Sequence, residues 1–412
     1  MQALYTFVIW LYGRLLRLFA FFGHQQARHW VEGRSAWREK VDHLPSDRRI
    51  VWFHTASAGE FEQGRPIMEL HRLHHPNDFI LLTFFSPSGY LLRRDYTGAD
   101  LVCYLPEDLP NEVAAWHILV KPALAVFVKY EFWPNHFKAM RQHQVPLLLV
   151  SALFRPSQPF FRWPTRHFWG KMLSSVRHFY IQDETSARLL RSLGYHNYTV
   201  CGDTRTDRVI ALSRQEFIDP LLEAFTRHHL VLIAGSTWPS DERILAEWLL
   251  NEPNARLVIA PHTVNNQRTT ELLERFGKQT VAYTTASPTD AANSRVLILN
   301  TMGMLGKVYR YGRAAYIGGG FGKGIHNTLE AAVYGIPVFF GPKNQKFVEA
   351  QNLKTEQLGF EITDVHDLKM QWATLVSSEK SEQFRNRAAS WFKLQAGASK
   401  RIANDINQLL AP

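Results

Sequence analysis

From residue 49 onward the chain alternates short, mostly apolar, strand-like runs with longer stretches in which apolar residues recur at every third or fourth position. Apolar runs at 50–54, 79–83, 124–128, 145–150 and 178–181 predict strands, and stretches such as 61–74 and 186–193 predict the helices between them. A more polar helical connection at 214–229 follows, and a second series then opens with runs at 230–234, 256–260, 296–299, 315–317 and 336–340. Strands that are mostly apolar, separated by helices, are the pattern of a parallel sheet covered on both faces. The expected fold is therefore α/β, with two doubly wound, Rossmann-like domains meeting near 202–207. Residues 381–410 read as one long amphipathic helix. In sheets of this kind ligands bind beyond the carboxyl ends of the strands, so the loops there are where chemistry is expected.

Residues 3–22 break the pattern. They are apolar almost without interruption, apart from Gly13, Arg14 and Arg17. A cleaved leader would carry its charge ahead of the apolar run, whereas here it lies within and behind it, so the segment is expected to be retained. It is long enough to span a bilayer or to lie in its interface with both arginines reaching for the headgroups, and a helix docked on the protein is the third option. Arg28, Arg34, Arg38 and Lys40 follow, which would hold the bulk of the chain on the cytoplasmic side. The division expected is an anchor helix and basic linker at 1–40, one domain at 41–207 and a second at 208–412, the final helix packing back on the first.

Most of the chemistry is concentrated at 314–342. A strand leads through Gly318, Gly319, Gly320, Gly322 and Gly324 into a helix that opens near His326 and Asn327. Unpaired backbone N–H groups and the positive end of a helix dipole would converge there as an anion site, most simply for phosphate. It is not a P-loop, because Gly322-Lys323 is followed by Gly324 and Ile325 and no hydroxyl is placed for Mg²⁺. Nor is it a dinucleotide fingerprint, since the glycines do not follow the first strand of their unit and Glu330 comes too early. The plainer alternative is that the glycines only make a tight turn. Asn327 and Glu330, one helical turn apart, tilt toward a ligand with a ribose or base edge.

Other strand-end loops are also polar and small. Residues 55–60 lead into a helix whose first turn holds Glu60, which is either a cap that complements the dipole or a general base at the edge of the sheet. Glu131 lies just past another strand, with Phe132 and Trp133 beside it. In the second series the corresponding loops carry Gly235-Ser236-Thr237-Trp238, Pro261-His262 and Thr301-Met302-Gly303-Met304. His71, His74 and His75 have metal-ligand spacing, but no carboxylate or cysteine is obviously aimed at them, so a solvated helix face is expected there and no metal.

Composition narrows the partners. The 412 residues are 46% hydrophobic and 20% charged, as in a globular protein, and the net charge of +10 favours acidic or phosphorylated partners. The basic residues are dispersed and no recognition motif for nucleic acid occurs. The two cysteines, Cys103 and Cys201, end apolar runs and read as buried small hydrophobes, without a disulfide framework.

Two doubly wound domains facing a cleft, the second with a candidate phosphate loop, suggest a GT-B glycosyltransferase. The motifs make the resemblance specific: Ala56-Ser57-Ala58-Gly59-Glu60, Glu131-Phe132-Trp133-Pro134-Asn135, Gly235-Ser236-Thr237, Thr301-Met302-Gly303 and His326-Asn327-Thr328-Leu329-Glu330 through Gly341-Pro342, in this order. With them the chain resembles the Kdo transferases of lipopolysaccharide assembly, which move 3-deoxy-D-manno-octulosonic acid from CMP-Kdo to a lipid A precursor at the cytoplasmic face of the bacterial inner membrane. The resemblance implies that Glu60 is the general base and that Glu131 and Arg205 assist the transition state. It also implies that CMP is held by Ser236, Pro261, His262, Met302, Gly303, Met304, Gly319, Gly320 and His326 through Glu330, and that no cofactor is used. Lys129, His262, Met304 and Arg205 depart from the commoner pattern, which has Glu, Arg, Glu and Lys there.

Overall fold

The computed structural model describes residues 1–411. It divides into two units, Met1–Asp207 with Gln395–Pro412, and Arg208–Leu394.

In the first unit the strands are β1 (Ile50–Thr55), β2 (Phe79–Phe84), β3 (Leu101–Tyr104), β4 (Leu124–Val128), β5 (Leu147–Ala152), β6 (His178–Ile181) and β7 (Tyr198–Val200). They form one parallel sheet in the order β3-β2-β1-β4-β5-β6-β7. Alternate residues of β1 feed separate cores. Trp52 packs on one face with Trp37, Trp116 and Phe127, while Val51 and Phe53 pack on the other with Phe61, Ile67 and Met68. Burial on both faces explains why β1 shows no polar alternation. The chain reverses direction across the sheet between β1 and β4, so the loops after those two strands border the crevice where a doubly wound sheet binds its ligand.

The second unit repeats the plan. Its strands are β8 (Leu230–Thr237), β9 (Ala255–Pro261), β10 (Thr280–Ala282), β11 (Val296–Ile298), β12 (Ala314–Ile317), β13 (Val338–Phe340) and β14 (Gly359–Glu361). They are parallel, in the order β10-β11-β9-β8-β12-β13-β14, with the reversal between β8 and β12. Val231 and Ile233 of β8 enter one core and Leu232 and Ala234 the other.

Several expectations are corrected. β3, β7, β10 and β14 are not predicted by the apolar runs, and residues 381–410 are not one helix. Helices Ser378–Gln395 and Ala398–Leu409 are separated at Gly397, whose φ of 104° is left-handed and closes the helical ladder. The last helix then docks on the first unit. There the histidine cluster turns out to be a seat, not a solvated face: His75 and His74 hydrogen-bond the Asn407 side chain at 2.8 and 3.0 Å, and buried His71 meets the Asp78 carboxylate at 3.0 Å.

Residues 25–40 are likewise no linker, because helices Gln25–Ser35 and Trp37–Val41 pack into the first unit. Arg34 is buried over the rings of Trp30, Phe85 and Tyr104 and donates to Phe85 O at 2.7 Å, so its charge is not part of a basic surface. The apolar helix Gln2–Phe21 is fixed to this unit along a polar seam. Gln2 donates to Asn135 Oδ1 at 3.1 Å, Tyr5 to Asp108 Oδ2 at 2.8 Å, and Arg17 pairs with Glu107 beside buried Gly13. Its outer face, including Leu4, Phe7, Leu11, Leu15 and Leu18, is exposed. By length and composition this helix is able to cross a membrane.

Candidate active site

β1 ends at Thr55, and the two residues Ala56 and Ser57 lead into helix Ala58–His74, which places Glu60 in its first turn at the sheet's carboxyl edge. Glu60 complements the helix dipole by its place in the first turn but makes no capping hydrogen bond. No side chain caps this helix; instead the Ser57 hydroxyl donates to Glu60 Oε2, and the carboxylate stays half-exposed. Ser86, after β2, donates its N–H to Ala56 O at 2.7 Å and so pins the turn from the neighbouring strand.

Glu131 follows β4 and is 7% exposed. Its Oε2 lies 2.9 Å from His54 Nε2 and accepts from Trp133 Nε1–H at 2.9 Å. His54 is fully buried in β1, and its Nδ1 lies 2.8 Å from Thr83 Oγ1 of β2, the residue directly opposite it in register. Arg205 is the second residue of helix Thr204–Arg214 and is held by Asp203 through Nε at 2.9 Å and Nη2 at 2.6 Å. Burial pushes the Asp203 carboxyl up, but the Arg205 guanidinium overrides this and holds it below the usual range. Asp203 also accepts from Gln63, one turn beyond Glu60 on the same helix, so the three residues given catalytic roles are tied to adjoining elements of one sheet edge. His54 and Asp203 escape the sequence reading. The only trace of His54 is a polar residue near the end of an apolar strand.

In the second unit the carboxyl ends of β8, β9 and β12 bring together a ring stack. His262 stacks against Trp238 at 4.6 Å and against His326 at 4.5 Å, each at 22° to its plane, and Trp238 Nε1–H donates directly to His326 Nε2 at 3.2 Å. Burial, with the nearby His262 adding to it, pushes the His326 pKa down to about 4, and burial lowers that of His262 as well. Both rings are therefore neutral near pH 7. Ser236 has a φ of 54° at the irregularity where β8 shifts register against β9 and Pro261 closes the latter. Trp238, absent from the sequence reading as a contact, is the exposed aromatic of that same strand-end loop.

The glycine loop differs from its expected role. The N–H of Gly319 donates to buried Asp241 at 2.9 Å, and those of Gly318, Gly322 and Gly324 bond to backbone carbonyls, so none of these four is an unpaired donor. A side chain at Gly318 would collide with Ser236 and Thr237, and one at Gly320 with Gly341. For these four donors the tight-turn alternative accounts for the glycines. The helix after the loop is only Leu329–Ala332, too short for much of a dipole, and Leu329 and Thr328 are buried, Leu329 in the core. Asn327 and Glu330 do face one another, with Asn327 Nδ2 donating to Glu330 Oε1 at 2.9 Å. The Glu330 carboxylate rests against Gly306, just beyond the turn of exposed Met302, Gly303 (φ 84°) and Met304.

The family model for 3-deoxy-D-manno-octulosonic-acid transferase (kdotransferase) matches residues 34–208. The chain is 27% identical to the 3-deoxy-D-manno-octulosonic acid transferase of Aquifex aeolicus over 82% of this chain and 89% of the relative. It is 24% identical to that of Haemophilus influenzae over 87% of each, and 22% identical to that of Rickettsia bellii over 89% of each. Among solved structures, the UDP-GlcNAc 2-epimerase of Neisseria meningitidis bound to UDP-GlcNAc superposes with a TM-score of 0.60 at 13% identity, covering 87% of this chain and 100% of that one. The UDP-GlcNAc 2-epimerase of Methanocaldococcus jannaschii gives 0.53 at 12%, covering 81% and 94%. At such identities these two structures show the fold alone, two doubly wound units in one chain. The sequence relatives and the family model carry the rest: over most of its length the chain is similar to Kdo transferases, and that similarity supports the same family and a glycosyltransferase activity.

Proposed function

We propose that this protein transfers Kdo from CMP-Kdo to a hydroxyl of a tetraacylated lipid A precursor, with inversion at the anomeric carbon. The observation that carries this is Glu60: a half-exposed carboxylate at the ligand edge of the first sheet, held by one hydroxyl and not spent as a cap. A sugar hydroxyl is a weak acid and needs a base as it attacks. Glu60 takes the proton, the new C–O bond forms at the anomeric carbon, and the bond to the CMP phosphate breaks. Glu131 and Arg205 shape the field around that carbon, each fixed by its own partners.

The second unit holds CMP. The ring stack of Trp238, His262 and His326 offers aromatic faces for a base, and the Asn327–Glu330 pair offers a polar edge for the ribose. Because four of the loop's N–H groups are engaged, Ser236 and His262 are assigned the phosphate. The exposed apolar helix and the +10 charge suit the cytoplasmic surface of the inner membrane, where an acidic lipid acceptor lies.

Incubation with CMP-Kdo and the tetraacylated precursor, followed by mass analysis, tests the reaction; a product heavier by one or more Kdo residues is expected. Glu60→Gln should lower the rate by at least about a hundredfold, and an unchanged rate removes the base assignment. Tighter binding of UDP than of CMP would move the donor to another sugar nucleotide.

A further inference from the structure

We infer that an apolar cavity beneath the N-terminal helix receives one acyl chain of the acceptor and thereby positions its sugar at the Glu131 edge of the first sheet. This rests on the acceptor being an acylated lipid, as proposed above. The cavity, about 270 Å³, is lined by Val8, Ile9 and Tyr12 of helix Gln2–Phe21, by Trp30, and by Phe85 and Trp133 from the loops after β2 and β4. It is smaller than most sites for whole drug-sized ligands, about 300–1,000 Å³, and suits a length of hydrocarbon.

Its wall is a run of rings: Tyr12 against Trp30 at 5.8 Å, Trp30 against Phe85 at 6.4 Å and Phe85 against Trp133 at 4.7 Å. The last ring donates its Nε1–H to Glu131, so the apolar surface ends at a residue given a catalytic role. Two acidic residues also line the cavity, and the buried Oε2 of Glu107 has no hydrogen-bond partner among the described residues. Glu107 pairs with Arg17, and Asp108 accepts from Tyr5 and from the N–H groups of Asn135 and His136. At the other end, Val8 is 52% exposed and continues into the bare apolar face of the helix. Burial of about two methylenes is already worth a factor of ten in affinity, so even partial filling orients the acceptor.

The test uses the full-length protein in phospholipid vesicles and a tetraacylated precursor carrying a diazirine at the end of one acyl chain. Irradiation without donor should label peptides containing Trp30, Phe85 or Trp133. A phospholipid with the same diazirine at equal concentration should not. Equal labelling by both lipids, or acceptor labelling elsewhere on the chain, overturns the proposal. Adding CMP-Kdo to a parallel sample reports product separately, so failure of the transfer reading is seen independently of the labelling. Val8→Trp, at an exposed position where a larger side chain is accommodated, narrows the mouth of the cavity. It should raise the KM for the acylated acceptor by about tenfold with that for CMP-Kdo unchanged, and an unchanged acceptor KM counts against the cavity.

Discussion

His54 shows how one buried side chain governs another. It is fully buried and stands between Thr83 and Glu131, so it fixes both the position of the Glu131 carboxylate and the hydrogen bonding available to it. His54→Phe preserves the ring's bulk and deletes the partner, leaving Glu131 Oε2 with Trp133 alone. A buried acceptor stripped of a partner costs about 1–3 kcal/mol. Steady-state kinetics should therefore show kcat down by about tenfold or more with the KM for the donor unchanged. His54→Gln, which retains a donor, should recover part of the loss, whereas a ring needed only for packing predicts that Phe is the better substitute. Glu60 and Glu131 were legible because they stand in short polar stretches just after apolar runs. His54 was not, because one polar residue inside a strand changes no periodicity, and only the register with Thr83 discloses its purpose. Leu329 errs the other way: it lies inside a recognised motif, yet its side chain belongs to the core.

Among elements, legibility followed position in the sheet. The ten strands read from the sequence include every interior strand, each hydrogen-bonded on both sides and mostly apolar. The four that were missed, β3, β7, β10 and β14, are the edges of the two sheets. An edge strand has one neighbour and needs less apolar sequence, and these four span only three or four residues each. Helix ends were misread where distant partners decide them. The N-terminus of helix Ala398–Leu409 is held by Asp207, whose carboxylate accepts from Gly397 N at 2.6 Å and Ser399 N at 2.7 Å. No local pattern announces a cap that lies 190 residues away. Asp207→Ala removes both bonds and should lower stability by about 1–2 kcal/mol, measured as a fall in the urea midpoint. Asp207→Asn, which still accepts one bond, should fall between the two. If alanine leaves the midpoint unmoved, the break at Gly397 is held by packing alone.

At the scale of the whole molecule, histidine makes the fold acid-sensitive. His117 and His136 are buried near Trp52, and among the described residues neither ring has a hydrogen-bond partner. Burial, with His143 nearby, pushes His117 down to about 4, and burial with the charges of His117 and His54 lowers His136 well below its ordinary 6.5. Above pH 6.5 these rings are neutral in both the folded and the unfolded chain, and their stabilising difference is complete. As the pH falls from about 6.5 toward 4 the unfolded chain takes up protons that the folded one refuses, so stability drops by up to about 1.4 kcal/mol per pH unit for each such ring. Asp108 acts in the opposite sense. Burial raises its carboxyl to about 6, so the folded chain gains a proton there first and offsets part of the loss. Two rings against one carboxyl leave a net fall, and added positive charge on a chain already at +10 deepens it. Urea midpoints at pH 7.5, 6 and 5 should decline in that order. His136→Leu replaces an unpaired buried ring by an apolar side chain and should be neutral or stabilising at pH 7.5, with a shallower decline below 6.5. A wild-type midpoint that is level between pH 7.5 and 5 would mean that these rings accept protons without cost, and so that they are not sealed from water as their burial indicates.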